Sequence, residues 1–318
     1  MTRIVYMDNL KIVMAVMVIL QDAAFACGAA KYFPVNLFVM VNRVYLAGFF
    51  FFLSGYLSGR SLEKKTPGRW ISDRMLKLSV PAIAGMWLLR NYPGEADVAG
   101  FLELLLLFDF AYLLCRKLVK PGLLLDLSVP APRTILLFAI GTGIVCWLMG
   151  SLVPGIAAAA FVFRYAALFL VGAVAYQNNW PGFLPYRTGK RLGLEVVLLA
   201  LVFPAMHLVP HLFDTGFHWQ SVLFLVWEQL MGFSILVVLI CIGKKFMDRP
   251  SLFTTITGPA TFLVFVLHPL VIASLLSAPQ LWPAAPAFKF LVIGPLAVAG
   301  SFLLAVWLDW LHRPLASI

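Results

Sequence analysis

Apolar runs about twenty residues long recur along the whole chain. Each is close to the length that crosses about 30 Å of hydrocarbon as an α-helix. Ten can be read, over 10–27, 36–58, 78–92, 98–115, 134–153, 156–176, 192–210, 219–242, 253–277 and 288–311. A backbone in lipid must satisfy its own hydrogen bonds, so such runs become helices and not irregular chain. The expected fold is therefore all-α: a polytopic integral membrane helix bundle of about ten transmembrane helices. Composition agrees. Apolar residues make up 62% of the 318 and charged residues 12%, against about a quarter charged in soluble domains.

The net charge of +10 invites a nucleic-acid reading. The distribution of the basic residues argues against it. With a cytoplasmic N-terminus, nineteen of the 24 Lys and Arg residues fall on the inner side and only Lys31, Arg90 and Lys289 on the outer side. Arg43 and Arg164 lie inside helices. This asymmetry is what the positive-inside rule demands of a multi-pass protein, and no nucleic-acid partner is expected. Both termini then face the cytoplasm. The first run carries Gln21 and Asp22, which a cleavable signal peptide would avoid, so it is expected to stay as a transmembrane helix. Reporters fused near Lys65, Lys190 and Lys245 should read as cytoplasmic, and one near His211 as external. A cytoplasmic signal at His211 would break the ten-helix count.

The inner loop 59–77 holds six basic residues. Its later part, from Trp70 to Leu78, spaces its apolar residues for a helix lying in the membrane interface. The four cysteines, Cys27, Cys115, Cys146 and Cys241, are scattered and form no CxxC pair. They read as small buried hydrophobes. The histidines have no metal-ligand spacing, because His207 and His211 lack an acidic third partner. No metal and no cofactor is expected.

Ionisable groups inside a bilayer are costly and mark functional sites or fixed pairs. The chain has Asp22, Arg43, Glu103, Asp109, Arg164, Glu228 and His268 in its apolar segments. Purely structural pairing would join Arg164 with Glu228 or Arg43 with Glu103. His268 precedes Pro269, which frees a backbone carbonyl one turn earlier and obliges a side chain or water to satisfy it.

Several segments, in order, resemble one family. They are Tyr6-Met7-Asp8-Asn9-Leu10-Lys11, Phe49-Phe50-Phe51-Phe52-Leu53-Ser54-Gly55-Tyr56, the basic stretch ending Ser72-Asp73-Arg74 and Pro81, Gly100-Phe101-Leu102-Glu103, Leu168 to Tyr176, and Val266-Leu267-His268-Pro269-Leu270. Together they look like the acyltransferase-3 family of membrane proteins and span nearly the whole chain. The resemblance implies one transmembrane domain over 1–318, a ten-helix core and O-acyl transfer from an acyl-CoA. Two departures stand out. The family's first helix carries a basic residue and then, after ten others, a histidine. Ten residues beyond Lys11 stand before Asp22, and the usual histidine pair is Gln21-Asp22. The family's arginine ahead of a Pro-Gly step is also missing before Pro154-Gly155.

These departures redirect the expected chemistry. A carboxylate is a poor base for acyl transfer. Burial in an apolar bundle favours a carboxyl group's neutral form, and a neutral carboxylic acid donates protons. Asp22, Glu103 and His268 are the expected catalytic residues. Asp22 would serve as proton donor and Glu103 as partner or relay. Arg43, Asp109, Arg164 and Glu228 are the expected substrate-binding groups. The helices also carry many aromatics, among them Phe49 to Phe52, Trp147, Phe161, Trp227 and Phe265, whose faces stabilise cations. Acid plus aromatics in a membrane pocket points to acid-initiated cyclisation of a prenyl chain or prenyl epoxide, the chemistry of membrane-bound meroterpenoid cyclases. The expected partners are a lipophilic small-molecule substrate and the lipid bilayer. An acyltransferase, and a non-catalytic transporter or scaffold, are the alternatives.

Overall fold

The structure is a computed structural model and describes residues 4–79, 83, 98–118, 127–152, 157–206, 209–212, 217–277 and 285–312. Its α-helices are α1 (Val5–Ala26), α2 (Phe33–Leu62), α3 (Pro67–Arg74), α4 (Val98–Leu118), α5 (Pro132–Leu152), α6 (Ala157–Gln177), α7 (Trp180–Phe183), α8 (Tyr186–Met206), α9 (Trp219–Phe246), α10 (Leu252–Leu276) and α11 (Pro286–His312). The described residues contain no strand. The protein is an all-α polytopic membrane bundle. Seven of its helices are long and apolar enough to cross a bilayer. Of the other three expected spans, 98–115 and 192–210 coincide with the 21-residue helices α4 and α8. The remaining one, 78–92, lies almost wholly outside the described residues.

Helix ends differ most from the hydrophobic runs. The run 36–58 becomes a helix of 30 residues, about 45 Å long at 1.5 Å per residue. It continues past Ser58 because tertiary contacts reward the extra turn. Gly59 lies against the ring of Tyr176, and Glu63 accepts a 2.6 Å hydrogen bond from the Tyr176 hydroxyl. The stretch from Trp70 is helical as α3, and a single π-helical turn, Met75–Ser79, follows it. Trp70 is buried to 1% exposure. Its indole packs into the protein, with the Arg74 guanidinium 5.4 Å from its ring.

The chain divides into two compact units. The first comprises residues 1–46, 77–103 and 243–318. In it α1, α10 and α11 pack on one another. Their contact is a set of stripes at helical spacing: Ile12, Ala15, Ile19 and Ala23 on α1, Ala260, Val264 and Ile272 on α10, and Ala297 and Ala305 on α11. Small residues let helix backbones approach closely, which is where van der Waals packing gains most inside a membrane. His268 belongs to the same i, i+4 row as Ala260, Val264 and Ile272, and Asp22 flanks Ala23. The packed stripe therefore carries both groups. α10 is started by a capping box between Ser251 and Thr254, which satisfies amides that the first turn leaves unpaired.

The second unit comprises residues 47–76 and 104–242. Here two glycines set the spacing of α2 and α6. A Cβ on Gly55 would lie 1.9 Å from the Phe169 carbonyl oxygen, and one on Gly172 would lie 2.0 Å from the Phe52 carbonyl oxygen. The backbones touch reciprocally at these two points. Gly143 plays the same part between α5 and α9, where a Cβ would come within 2.7 Å of the Val226 Cα.

Candidate functional site

The site builds up from Pro269. Lacking an N–H, Pro269 cannot bond the carbonyl of Phe265 one turn earlier. The His268 ring takes its place, with Nδ1 2.6 Å from the Phe265 oxygen. A carbonyl only accepts, so Nδ1 carries a hydrogen, and this assigns the ring's tautomer from its partner. The other ring nitrogen, Nε2, lies 2.9 Å from Oδ2 of Asp22 on α1. The Leu267-His268-Pro269 step thus fixes one face of the imidazole locally and turns the other toward an acid 246 residues away in sequence.

With Nδ1 committed, one proton lies between Nε2 and Oδ2. With that proton alone the pair is imidazole with carboxylic acid, or imidazolium with carboxylate; a second proton, on Oδ1, makes it imidazolium with carboxylic acid. Its two members differ in access. The His268 side chain is 0% exposed and that of Asp22 is 22% exposed. A molecule approaching the pair meets Asp22 first, and His268 stands behind it. The Phe265 ring lies 5.8 Å from the imidazole, centroid to centroid, and 5.0 Å from the ring of Phe101 on α4. Arg43, an exposed side chain on α2, places its guanidinium 5.9 Å from the ring of Phe25 on α1. Acid, imidazole, cation and aromatic faces all belong to the first unit.

Glu103 is on α4 two residues beyond Phe101, and its side chain is exposed. Among the described residues no hydrogen bond joins it to Asp22 or His268, and no ion pair joins it to Arg43. The remaining predicted groups belong to the second unit. Arg164 and Glu228 form an ion pair of 2.6 Å, with both side chains largely buried. The Arg164 guanidinium also lies over the rings of Phe161 and Tyr165, at 5.1 and 4.9 Å. Asp109 is fully buried. Its Oδ1 accepts from the Ser58 hydroxyl at 2.5 Å, and its Oδ2 lies 3.3 Å from Nε of Arg74. Arg74 also donates to Ser58 at 2.6 Å. This triangle ties α3 to α2 and α4, and its closure leaves Asp109 no open face.

Two ionisable groups beyond the seven make tertiary contacts. Arg74 looks like one more loop cation until tertiary contact puts it on Asp109. Glu195, on α8 near Ser234 of α9, satisfies the same criterion as the seven candidate groups, an ionisable side chain in an apolar run, and belongs beside them. Among the described residues no three His, Cys, Asp or Glu side chains converge as metal ligands would.

The proline's role is testable. Pro269→Ala supplies an N–H to the Phe265 carbonyl, in competition with His268 Nδ1. A carbonyl has two lone pairs, so the imidazole is loosened and not expelled. The His268 ¹⁵N signals should show a mixed tautomer. Unchanged signals would mean that Pro269 does not hold the ring.

No family model, no curated protein and no solved structure matches the chain.

Proposed function

We propose that the protein is a membrane-embedded catalyst of proton-initiated cyclisation, acting on a lipophilic substrate that carries a prenyl chain or prenyl epoxide, with Asp22 as the acid. The observation that carries this is the asymmetry of the Asp22–His268 pair. The acid is the accessible member and the imidazole is the buried one.

The geometry lends itself to the chemistry. A proton on Oδ1 of Asp22 passes to an epoxide oxygen or a terminal alkene carbon. As it leaves, Nε2–H of a protonated His268 bonds the carboxylate left behind. An epoxide C–O bond opens, or the alkene becomes a cation, and a further double bond of the chain closes on the positive centre. Loss of a proton from the last cation ends the sequence and balances the charge. Phe265 beside the imidazole and Phe101 beside Phe265 supply negative quadrupole, as a passing cation requires.

The resemblance to acyltransferase-3 proteins supports a second reading, acyl transfer from an acyl-CoA with His268 as base. A base held by a carboxylate is the arrangement such a reaction uses. That reading asks an acceptor hydroxyl to reach Nε2, which Asp22 already occupies. Microsomes containing the protein, fed a farnesylated phenol or its epoxide, should yield a cyclised isomer of unchanged mass. Acylated product from an acyl-CoA and candidate acceptors, with no isomerisation of the prenyl substrate, would reverse the order of the two readings.

A further inference from the structure

Two histidines that sequence spacing leaves unrelated are neighbours in the second unit. His211 and His218 stand seven positions apart, and both are exposed. Their rings lie 5.4 Å apart, centroid to centroid, with planes 14° from parallel. One buried residue holds the backbone of both. Ser221, in the first turn of α9, is 4% exposed. Its N–H donates to the His218 carbonyl at 3.1 Å, and its hydroxyl donates to the His211 carbonyl at 3.2 Å. Each flank is anchored as well. Leu212, beside His211, is fully buried. Phe217, beside His218, meets the Trp147 ring of α5 in a T-shaped contact of 5.6 Å. The fold therefore sets the place of both imidazoles and leaves the rings open to water.

We propose that His211 and His218 form a binding site for a divalent transition-metal ion, held through one nitrogen of each imidazole and completed by water. The distance suits it. A metal bonded to a ring nitrogen at about 2.0–2.1 Å lies about 3 Å from the ring's centre, so two rings on one ion can be at most about 6 Å apart. The observed 5.4 Å is inside that limit. Rotation about χ2, a broad torsion in histidine, aims a nitrogen of each ring at a shared ion without moving the backbone. Ring stacking alone is a weak reason for the arrangement, because both imidazoles stay exposed and little apolar surface leaves water. The ligand type selects the ion. Imidazole suits Cu²⁺, Ni²⁺ and Zn²⁺, with Cu²⁺ the most tightly bound of the three, whereas Ca²⁺ and Mg²⁺ ask for oxygen ligands. Among the described residues no third His, Cys, Asp or Glu joins the pair. Two protein ligands leave positions open to water, so the ion should exchange freely and not be a fixed part of the fold.

The inference is independent of any role for Asp22, and its test reads binding and not turnover. The full-length protein, carrying no histidine tag, is placed in phosphatidylcholine nanodiscs and titrated with Cu²⁺, followed by pulsed electron paramagnetic resonance. One Cu²⁺ per chain is expected, with spin-echo modulation from two imidazoles. Excess Zn²⁺ should displace it, and Ca²⁺ and Mg²⁺ should not. His211→Asn keeps a residue type tolerant of the left-handed backbone found there (φ 60°), and His218→Asn keeps one favoured just ahead of a helix. Each should weaken Cu²⁺ binding by about tenfold or more and leave at most one imidazole in the signal. Ser221→Ala keeps both rings but releases the His211 carbonyl, and should weaken binding by less, with both imidazoles still seen. A wild-type signal from one imidazole or none would overturn the inference. Several ions per chain, bound equally by wild type and both asparagine variants, would reduce it to scattered surface sites and overturn it too. Unchanged affinity in His218→Asn would do the same, and a matching loss in His207→Asn would then give the ion to His207 with His211. Stoichiometry and imidazole count are read on the wild-type protein and stand whether or not the variants fold.

Discussion

Asp22→Asn is expected to cut cyclisation of the prenyl substrate by roughly 10²-fold or more. The amide keeps the size of the carboxyl and can still bond His268 Nε2, so the helix stripe should remain intact, but it has no acidic proton to give. Asp22→Glu retains the acid one methylene further out and should keep part of the activity. Asp22→His introduces a histidine, the residue type that the resemblance to acyltransferase-3 proteins leads one to expect at this point of the first helix. It should not rescue cyclisation, because a neutral imidazole is a weak acid toward an alkene. Under acyl transfer the order inverts: Asp22→Asn matters little and Asp22→His raises acylation. Both assays run on the same microsomes, and thermal stability of each variant separates lost chemistry from lost fold. Wild-type rates from Asp22→Asn on the prenyl substrate would remove Asp22 as the acid.

The largest effect on stability is expected at the contact between α2 and α6. Ideal Cβ atoms at Gly55 and Gly172 would sit 1.9 and 2.0 Å from carbonyl oxygens of the facing helix. No rotamer change relieves this, because the obstructing atoms are backbone, so the helices must separate. Overpacking of this kind typically costs about 1–3 kcal/mol and occasionally more, and two backbone clashes should place each alanine variant at the upper end. The two substitutions meet at one interface, so their costs should not add. Once the helices part for one methyl group, the second finds room. Gly141→Ala is the control. It lies in the apolar helix α5, a Cβ there meets nothing within 4 Å, and helix propensity alone favours alanine by about 1 kcal/mol. Unfolding in detergent, followed by thermal shift, should rank Gly55→Ala and Gly172→Ala far below wild type and Gly141→Ala at or above it. Equal behaviour of Gly55→Ala and Gly141→Ala would show that α2 and α6 do not touch in this way.

Much of the architecture follows from local sequence. The lengths of the apolar runs already impose helices, since an unpaired backbone in lipid has no other partner, and nine of the ten expected spans coincide with helices in the described residues. The Pro269 argument is also local. A missing N–H frees the carbonyl four residues back whatever the rest of the fold does; local sequence left its partner open between a side chain and water, and in the fold it is the adjacent His268. Helix ends were less legible. The last turn of α2 is held by Tyr176, a residue more than a hundred positions later, and hydropathy has no access to such a contact.

Partner choice among the buried ionisable groups belonged to tertiary structure alone. Arg164 with Glu228 was one pairing the sequence allowed, and it forms. Arg43 with Glu103 was equally allowed, yet Arg43 lies over Phe25 and Glu103 is exposed. Nothing in either helix distinguishes the two cases, because the apolar period gives each residue's angle about its own axis but not the rotation or depth of the neighbouring helix. Asp109 took its cation from the loop helix α3, outside every apolar run. Asp22 and His268 met because the packed stripes of α1 and α10 set one helix spacing and register. The sequence by itself determined a membrane helix bundle and a carbonyl freed by Pro269, and the structure showed that His268 Nδ1 takes it. The acid facing the other nitrogen was decided only when α1 packed on α10, since a contact spanning 246 residues depends on helix packing and leaves no local periodicity to read.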